Sequence, residues 1–125
     1  MDQHAHLIAE RLVHSALVTS ATEIAHAQSS ARMPVLAPYR WLRDADPLPH
    51  SWDVTSDSIA AWCAHAVGAP QLVLIKPSGA SGDDVVDRNF SRALQPGVSS
   101  ACVPADEIGR LLAAGDVRES SNARF

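Results

Sequence analysis

The sequence predicts an α/β fold with a mostly parallel sheet, and three observations carry that prediction. Short apolar runs alternate with segments whose apolar residues recur at helical spacing, which is typical of α/β proteins. The run Leu72–Ile75 is continuously apolar, as expected of a buried parallel strand. The helical segment 56–67 ends at Gly68, a few residues before that run, so a helix leads into a strand through a short turn.

The first part of the chain is predicted to hold two helices and one strand. A helix is expected over residues 2–14, where apolar residues lie at helical spacing among polar ones. A short apolar link at 17–18 leads to a second, weaker helix over 22–30. Prolines bracket residues 34–38, which favours an edge strand or a strand end. Residues 40–49 are predicted to be a loop because prolines break regular structure there.

The helix over 56–67 carries the strongest local signals. Thr55 or Ser56 is expected to cap its first turn, and Asp57 lies where a carboxylate suits the helix dipole. Its apolar side is predicted to contain Ile59, Ala60, Cys63, Ala66 and Val67.

The remainder of the chain continues the alternation. After the strand 72–75, we expect a flexible loop over 77–84, a short helix within 85–94 and a strand over 99–103. An amphipathic helix is expected over 105–114, with Ile108, Leu111 and Leu112 as its apolar side. Residues 116–125 are predicted to be a disordered tail.

Composition places the chain among ordinary globular domains. Its 125 residues are 46% hydrophobic and 19% charged, which suits one domain with a real core. A net charge of -4 argues against a nucleic-acid partner, and no apolar stretch approaches the roughly 18 residues of a membrane span. The first residues lack a signal-peptide pattern, so a cytoplasmic protein is expected. Cys63 and Cys102 would then be reduced thiols in the core.

Two kinds of catalytic site find no support in the sequence. The six histidines include no His-x-x-x-His pair, so we expect solvated surface histidines and no metal site built from them. A Ser–His–Asp triad is not expected either, because no Gly-x-Ser-x-Gly elbow is present.

Polar side chains gather at a helix start and a strand end, the positions where α/β sheets hold ligands. Asp53 and Asp57 either cap the helix and complement its dipole, or one of them holds a lysine or a metal beside a bound phosphate. Trp52 is either a packing wedge or one wall of a ligand pocket. Lys76, the only lysine, is either a plain surface residue or a charge aimed at phosphates.

The segments Ser51–Trp62, Gly68–Ala69 and Leu72–Lys76 together resemble the second half of the amino acid kinase superfamily. The string Trp52-Asp53-Val54-Thr55-Ser56-Asp57 is most similar to the small aspartokinase-related kinases of methanogens and methylotrophs, where methanogen members are linked to phosphorylation of an aminomethylfuran phosphate. The resemblance spans most of residues 1–115 and implies a three-layer α/β/α domain that binds ATP with Mg²⁺.

Site residues follow from this resemblance position by position. It implies that Asp57 organises the catalytic lysine, itself supplied by the N-terminal half of such kinases and absent from this chain. The residues implied on the acceptor side are Ser51, Trp52, Asp53, Thr55 and Ser56. Those implied to face the nucleotide are Lys76, Ser78 and Gly79.

The chain also departs from the family, because its first glycine is Gly68 and its only lysine is Lys76. We therefore expect residues 1–115 to be a partial kinase-like domain without the N-terminal half. Three hypotheses stay open: a small-molecule kinase or its nucleotide-binding half, a non-catalytic remnant or interaction module, and an unrelated α/β binding domain. A sheet with an uncovered apolar edge or face would favour a homo-oligomer.

Overall fold

A computed structural model describes residues 1–80 and 85–114 and divides the chain into two compact units, Met1–Pro47 and the part from Leu48 onward. The elements of the first unit are α1 (Asp2–Arg11), β1 (Ser15–Val18), α2 (Ala21–Ser29), β2 (Met33–Leu36) and α3 (Tyr39–Ala45). Those of the second unit are α4 (Ser56–Ala66), β3 (Gln71–Lys76), α5 (Phe90–Ala93), β4 (Ser99–Pro104) and α6 (Ile108–Ala114).

The first unit is built around the parallel pair of β1 and β2, with α2 as the connection between them. Ser20 caps α2, since its hydroxyl accepts a hydrogen bond from the Glu23 N–H at 3.2 Å. Ser15 is buried and donates its hydroxyl to Ala9 O at 2.9 Å and Leu12 O at 3.0 Å. These bonds satisfy carbonyls at the end of α1 and tie the helix to β1.

Strand β2 has one edge paired and one edge open among the described strands. Met33 N–H donates to His14 O at 2.9 Å, and Ala37 N–H donates to Val18 O at 2.9 Å. Residues 33, 35 and 37 therefore direct their backbone nitrogens toward β1, and the ring of Pro34 lies on the outer edge. This agrees with the edge position predicted from the prolines.

The second unit pairs β3 with β4 in parallel, from Gln71 opposite Ser99 to Lys76 opposite Pro104. Helix α4 precedes β3, and Gly68 closes it at φ +69°, a left-handed conformation that glycine adopts without strain. The core cluster of this unit consists of Ala61, Leu74, Phe90 and Ala93. Phe90 is 2% exposed, and burying such a side chain stabilises a fold by about 1.5–3 kcal/mol.

Parallel strands and intervening helices confirm the α/β class. The prediction that the strands belong to one sheet is wrong, because the described strands form two separate pairs. The strand predicted at 34–38 pairs with β1, whereas those predicted at 72–75 and 99–103 form a separate pair. The apolar link at 17–18 was also assigned wrongly, because it is part of β1, a strand of only four residues. The three-layer arrangement remains a prediction.

The loop predicted over 40–49 is wrong for most of its length, because α3 occupies residues 39–45. Pro38 stands at the N-cap with φ -83°, a value close to that of a helix, and thus helps to begin it. Asp46 ends it in the left-handed conformation, and the two later prolines follow that end. Proline here delimits a helix where the sequence pattern suggested a continuous loop.

The face of α4 that is buried differs from the apolar face predicted from the sequence. The buried residues are Asp57, Ser58, Ala61 and Ala64, whereas Ile59 and Ala60 are only half-buried and Val67 is exposed. The difference has a physical reason, since Asp57 and Ser58 form hydrogen bonds that permit their burial. A pattern that counts only apolar residues assigns both to the surface.

Some predictions fall outside the described residues. These include the tail over 116–125 and part of the loop over 77–84. Helix α6 begins at Ile108, later than the predicted residue 105. Within the described residues, no helix has both the length and the apolar character needed to cross a lipid bilayer.

Candidate functional site

The candidate site is an open cavity of about 450 Å³ in the second unit. It lies where the start of α4, the end of β3 and the segment before α5 meet. Its lining residues are Trp52, Asp53, Thr55, Asp57, Lys76, Val85, Val86, Asp87 and Arg88. This volume lies within the range of about 300–1,000 Å³ that is usual for small-molecule sites. We refer to it as the α4–β3 cavity.

An ion pair between Asp57 and Lys76 joins the helix start to the strand end. The Lys76 Nζ donates to Asp57 Oδ1 and Oδ2, at 2.7 Å in each case. The side chains are 20% exposed for Lys76 and 10% exposed for Asp57, so water screens the pair only in part. The sequence analysis left open that one of the two aspartates holds a lysine, but it placed Lys76 on the surface or against phosphates. The structure pairs Asp57 with Lys76.

Asp87 is the most highly connected side chain in the cavity. Its Oδ2 accepts from Thr55 N–H at 2.8 Å, from the Thr55 hydroxyl at 2.9 Å and from Ser58 N–H at 2.9 Å. Its Oδ1 accepts from the Ser58 hydroxyl and from Asn89 N–H, the latter at 3.1 Å. Asp87 therefore satisfies the first turn of α4 from 30 residues away in sequence.

This pattern corrects the predicted helix cap. Thr55 is the N-cap residue, but its hydroxyl does not accept a hydrogen bond from the helix backbone. It donates to Asp87 instead, and Asp87 takes the Ser58 N–H that a capping side chain would normally bind. A carboxylate at this end also faces the positive end of the helix dipole.

The electrostatic state of Asp87 follows from these contacts. Partial burial alone raises the pKa of its carboxyl group, but hydrogen bonds from Ser58 and Thr55 lower it, and the net pKa is below the ordinary value. The group is therefore ionised across the neutral range and acts as an acceptor only.

Three further cavity residues, Trp52, Asp53 and Arg88, are exposed. The Trp52 side chain is fully exposed, so the packing-wedge alternative is wrong and the residue lines the cavity instead. Asp53 accepts a hydrogen bond from the Ser51 hydroxyl at 3.3 Å, and Asp53 N–H donates to Ser51 Oγ at 3.0 Å. Arg88 is exposed and makes no ion pair with any described residue.

The structure brings together five of the sequence-predicted site residues, which are Trp52, Asp53, Thr55, Asp57 and Lys76. Ser51, Ser56, Ser78 and Gly79 do not line the α4–β3 cavity. The Ser78 hydroxyl donates to Asp106, which lies after β4, and Gly79 adopts φ +84° in a turn after β3. A role for Ser78 or Gly79 in nucleotide binding remains a prediction.

The exposure of the histidines agrees with the surface position predicted for them. Both cysteines are free and half-buried, and Cys102 packs against the core cluster. All six histidines are exposed. Among residues 1–80 and 85–114, no group of three or more His, Cys, Asp or Glu side chains is arranged to hold a metal ion.

The sequence analysis did not identify Asp87 and Arg88 as site residues. The tripeptide Asp87-Arg88-Asn89 follows a loop rich in glycine and aspartate, where charged residues are ordinarily solvated. The available signal was the short helix predicted within residues 85–94, and it would have assigned Asp87 to that helix. Its partners are Thr55 and Ser58, which no local spacing links to it.

No protein-family model, curated protein or solved structure matches this chain. Membership of the amino acid kinase superfamily therefore stays a prediction, and the chemistry of the cavity has to be argued from its own residues.

Proposed function

We propose that the second unit binds ATP with Mg²⁺ and forms the nucleotide-binding half of a small-molecule kinase of the amino acid kinase type. The observation that carries this proposal is the Asp57–Lys76 pair on the wall of the α4–β3 cavity. Phosphoryl transfer depends mainly on fixed charges and positioning, and a lysine held by a carboxylate supplies a fixed cation.

The charges of the cavity favour a metal-bound nucleotide over a bare polyanion. Three aspartates line it, against two cations, Lys76 and Arg88, so its formal charge is negative. Asp57 already neutralises much of the Lys76 charge. A free polyphosphate would be repelled on balance, whereas a bound Mg²⁺ offsets phosphate charge.

Asp53 is the residue that would hold such an ion, because both oxygens of the Asp57 carboxylate already accept hydrogen bonds from Lys76. Magnesium prefers oxygen ligands, keeps several waters and is commonly bound by one or two carboxylates together with substrate phosphates. Both carboxylates line the cavity, and Asp53 is exposed with only Ser51 as its described side-chain partner. When bound, Mg²⁺ supplies charge stabilisation to the transferring phosphoryl group.

The acceptor would lie on the side of the cavity that Trp52 and Thr55 line. Its class is a small molecule with a carboxylate or a phosphate, because both are the acceptors that this superfamily implies. The exposed Arg88 guanidinium suits either group, since its fork of donors matches carboxylate and phosphate oxygens.

A titration of the purified chain with MgATP tests the binding step. We expect a dissociation constant on the order of 0.1–1 mM, which is weak on the usual scale. Lys76→Ala should weaken binding about tenfold, equivalent to ~1.4 kcal/mol. Arg40→Ala is the matched control, because it removes one exposed positive charge from the first unit and leaves the cavity intact.

Two results would contradict the binding proposal. One is the absence of any heat or spectral change with MgATP at millimolar concentration. The other is an equal affinity of Lys76→Ala and Arg40→Ala for MgATP, which would show that Lys76 contributes only through the net charge of the chain.

Turnover is a separate question from binding. We expect the 125-residue chain alone to transfer no phosphoryl group, because its sequence has no glycine before Gly68 and no lysine besides Lys76. In a version joined to a glycine-rich N-terminal half, Asp57→Asn should lower kcat by ~10²–10³ while affecting nucleotide affinity much less. A coupled assay of ADP release measures both. Robust turnover that survives Asp57→Asn would exclude this role.

The alternative is a non-catalytic α/β interaction module, and one observation favours it. Large apolar side chains are exposed on the first unit, among them Val13 at 83% and Met33 at 59%. Exposed apolar groups of this size are typical of association surfaces when they are contiguous. Under this alternative the Asp57–Lys76 pair is structural, and MgATP does not bind.

A further inference from the structure

Asp87 is linked to the Asp57–Lys76 pair through its backbone as well as to α4 through its side chain. Its N–H donates to Asp57 Oδ2 at 3.2 Å, the same oxygen that Lys76 contacts. Its carboxylate meanwhile accepts hydrogen bonds from Thr55, Ser58 and Asn89. One residue thus contacts Asp57 directly and fixes the helical turn that carries it.

The arrangement leaves Asp57 little freedom. Helix α4 begins at Ser56, so Asp57 lies in the turn whose N–H groups and hydroxyls Asp87 binds. Ser58, the next residue, is fully buried, and its hydroxyl also accepts from Asn89 Nδ2 at 3.4 Å. Any loosening of this network would move the Asp57 carboxylate and with it the Lys76 ammonium.

We propose that Asp87 is a positioning residue, which holds Asp57 so that Asp57 in turn holds Lys76 toward the α4–β3 cavity. For its effect on nucleotide binding, this inference rests on the function proposed above. Asp87 need not touch the nucleotide, because its carboxylate is already engaged by five hydrogen bonds from the protein.

Asp87→Asn is the sharpest variant, since it keeps the size of the side chain. A carboxylate presents two acceptor oxygens, whereas an amide presents one oxygen and one NH₂ group. The NH₂ group cannot accept from the donors that now surround Oδ1 or Oδ2, so the network must rearrange. The backbone N–H to Asp57 remains chemically available, so the variant isolates the contribution of the side chain.

The composition of the chain makes a direct readout possible. Lys76 is the only lysine, so incorporation of ¹⁵N-labelled lysine gives a single side-chain ammonium signal in an NMR spectrum. Hydrogen bonds to Asp57 should slow exchange of its protons with water. We expect Asp87→Asn to accelerate that exchange about tenfold, as expected for loss of one strong charged contact, and to weaken MgATP binding by a smaller factor than Lys76→Ala does.

Three further variants serve as controls. Asp57→Ala removes the acceptor itself and sets the upper limit of the exchange rate. Asp44→Asn makes the same charge change on the exposed surface of the first unit, and should leave the lysine signal unchanged. Ser58→Ala removes one hydroxyl that donates a hydrogen bond to Asp87. It should also accelerate exchange of the Lys76 ammonium protons, by a smaller factor than Asp87→Asn does.

The outcomes separate this inference from the proposed function. If folded Asp87→Asn, verified by circular dichroism, gives the wild-type exchange rate, the positioning role is wrong. If that variant does not fold, Ser58→Ala decides the question, and an unchanged exchange rate overturns the inference. If MgATP produces no heat of binding with the wild type and does not change its lysine signal, the proposed function is wrong. The exchange rates of the variants, measured without nucleotide, still test the positioning role.

Discussion

At the scale of single residues, burial sets the chemistry of Cys63. Burial raises the pKa of this thiol to about 11. For Cys102, on β4, burial is again the main cause that raises the thiol pKa; nearby Asp57 adds to it and Lys76 opposes it. Because the thiolate is the reactive form, both residues should be poor nucleophiles at neutral pH.

The rate of alkylation tests this expectation for Cys63. At about pH 8, a thiol with this pKa is ionised some 100-fold less than a free cysteine, so its reaction with iodoacetamide should be slower by about that factor. The rate should then rise about tenfold per pH unit while the chain stays folded. Peptide mapping by mass spectrometry separates the two sites. Labelling of Cys63 as fast as a free thiol in the folded chain would show that its pKa is not raised.

At the scale of elements, the start of α4 depends on a carboxylate from a distant segment. Asp87 has a pKa lowered by hydrogen bonds from Ser58 and Thr55, which outweigh the effect of burial. A lowered folded-state pKa means that the group contributes stability above its unfolded pKa. That contribution disappears as the pH falls through the folded-state value.

Acid unfolding of Asp87→Asn should reveal this contribution. At neutral pH the variant should lose about 0.5–2 kcal/mol of unfolding free energy, the usual value of an N-terminal helix cap. The difference from wild type should shrink as the pH falls below about 3.9, where the unfolded aspartate protonates. Urea titrations at several pH values measure it. A difference that stays constant down to acid pH would assign the loss to packing.

The elements also show what a sequence pattern detects. The strand over 72–75 was predictable because it is a continuous apolar run, and the helix over 56–67 because polar residues at its start and Gly68 at its end delimit it. The strand over 99–103 carries a weaker signal, since it begins with two serines. Strand β1 was missed because four residues carry too little periodicity. Helix α3 was missed because prolines flank it and the pattern took them as breakers throughout.

The site was predictable only as far as its residues are local. Trp52, Asp53, Thr55 and Asp57 follow one another in sequence, and their polar character at a helix start was visible. The pairing of Asp57 with Lys76 depends on how β3 lies beside α4, and no spacing specifies it. Asp87 is further removed still, since its contacts bridge about 30 residues.

At the scale of the whole molecule, each unit holds only two described strands, and apolar side chains remain exposed. On the first unit they include Leu7, Ile8, Leu12, Val13, Leu17 and Met33. On the second unit Ile75, within β3, is 57% exposed. A two-stranded parallel sheet covers little of its own apolar surface, which favours association with another surface.

Light scattering at increasing concentration tests self-association. We expect the chain to form dimers or larger species, because exposed Leu and Ile side chains gain free energy when they leave water. Replacing Ile8 and Val13, which are 49% and 83% exposed, by serine should shift the population toward monomer. The matched control is His4→Ser with His6→Ser, two exposed polar positions on α1, the helix that carries Ile8. A stable monomer at high concentration in the wild type would contradict the expectation.

The ring of Pro34 on the outer edge of β2 has a consequence for amyloid formation. An incoming strand that extends the ladder needs the outward N–H groups of β2, and proline withholds one of them near the centre of a four-residue strand. Extension of the ladder at this edge of β2 should therefore be disfavoured. Pro34→Val restores the donor and should speed the rise of thioflavin fluorescence on prolonged incubation, whereas Pro49→Val, in a loop, should not. Equal rates of fluorescence increase in wild type and Pro34→Val would show that Pro34 does not protect this edge from strand addition.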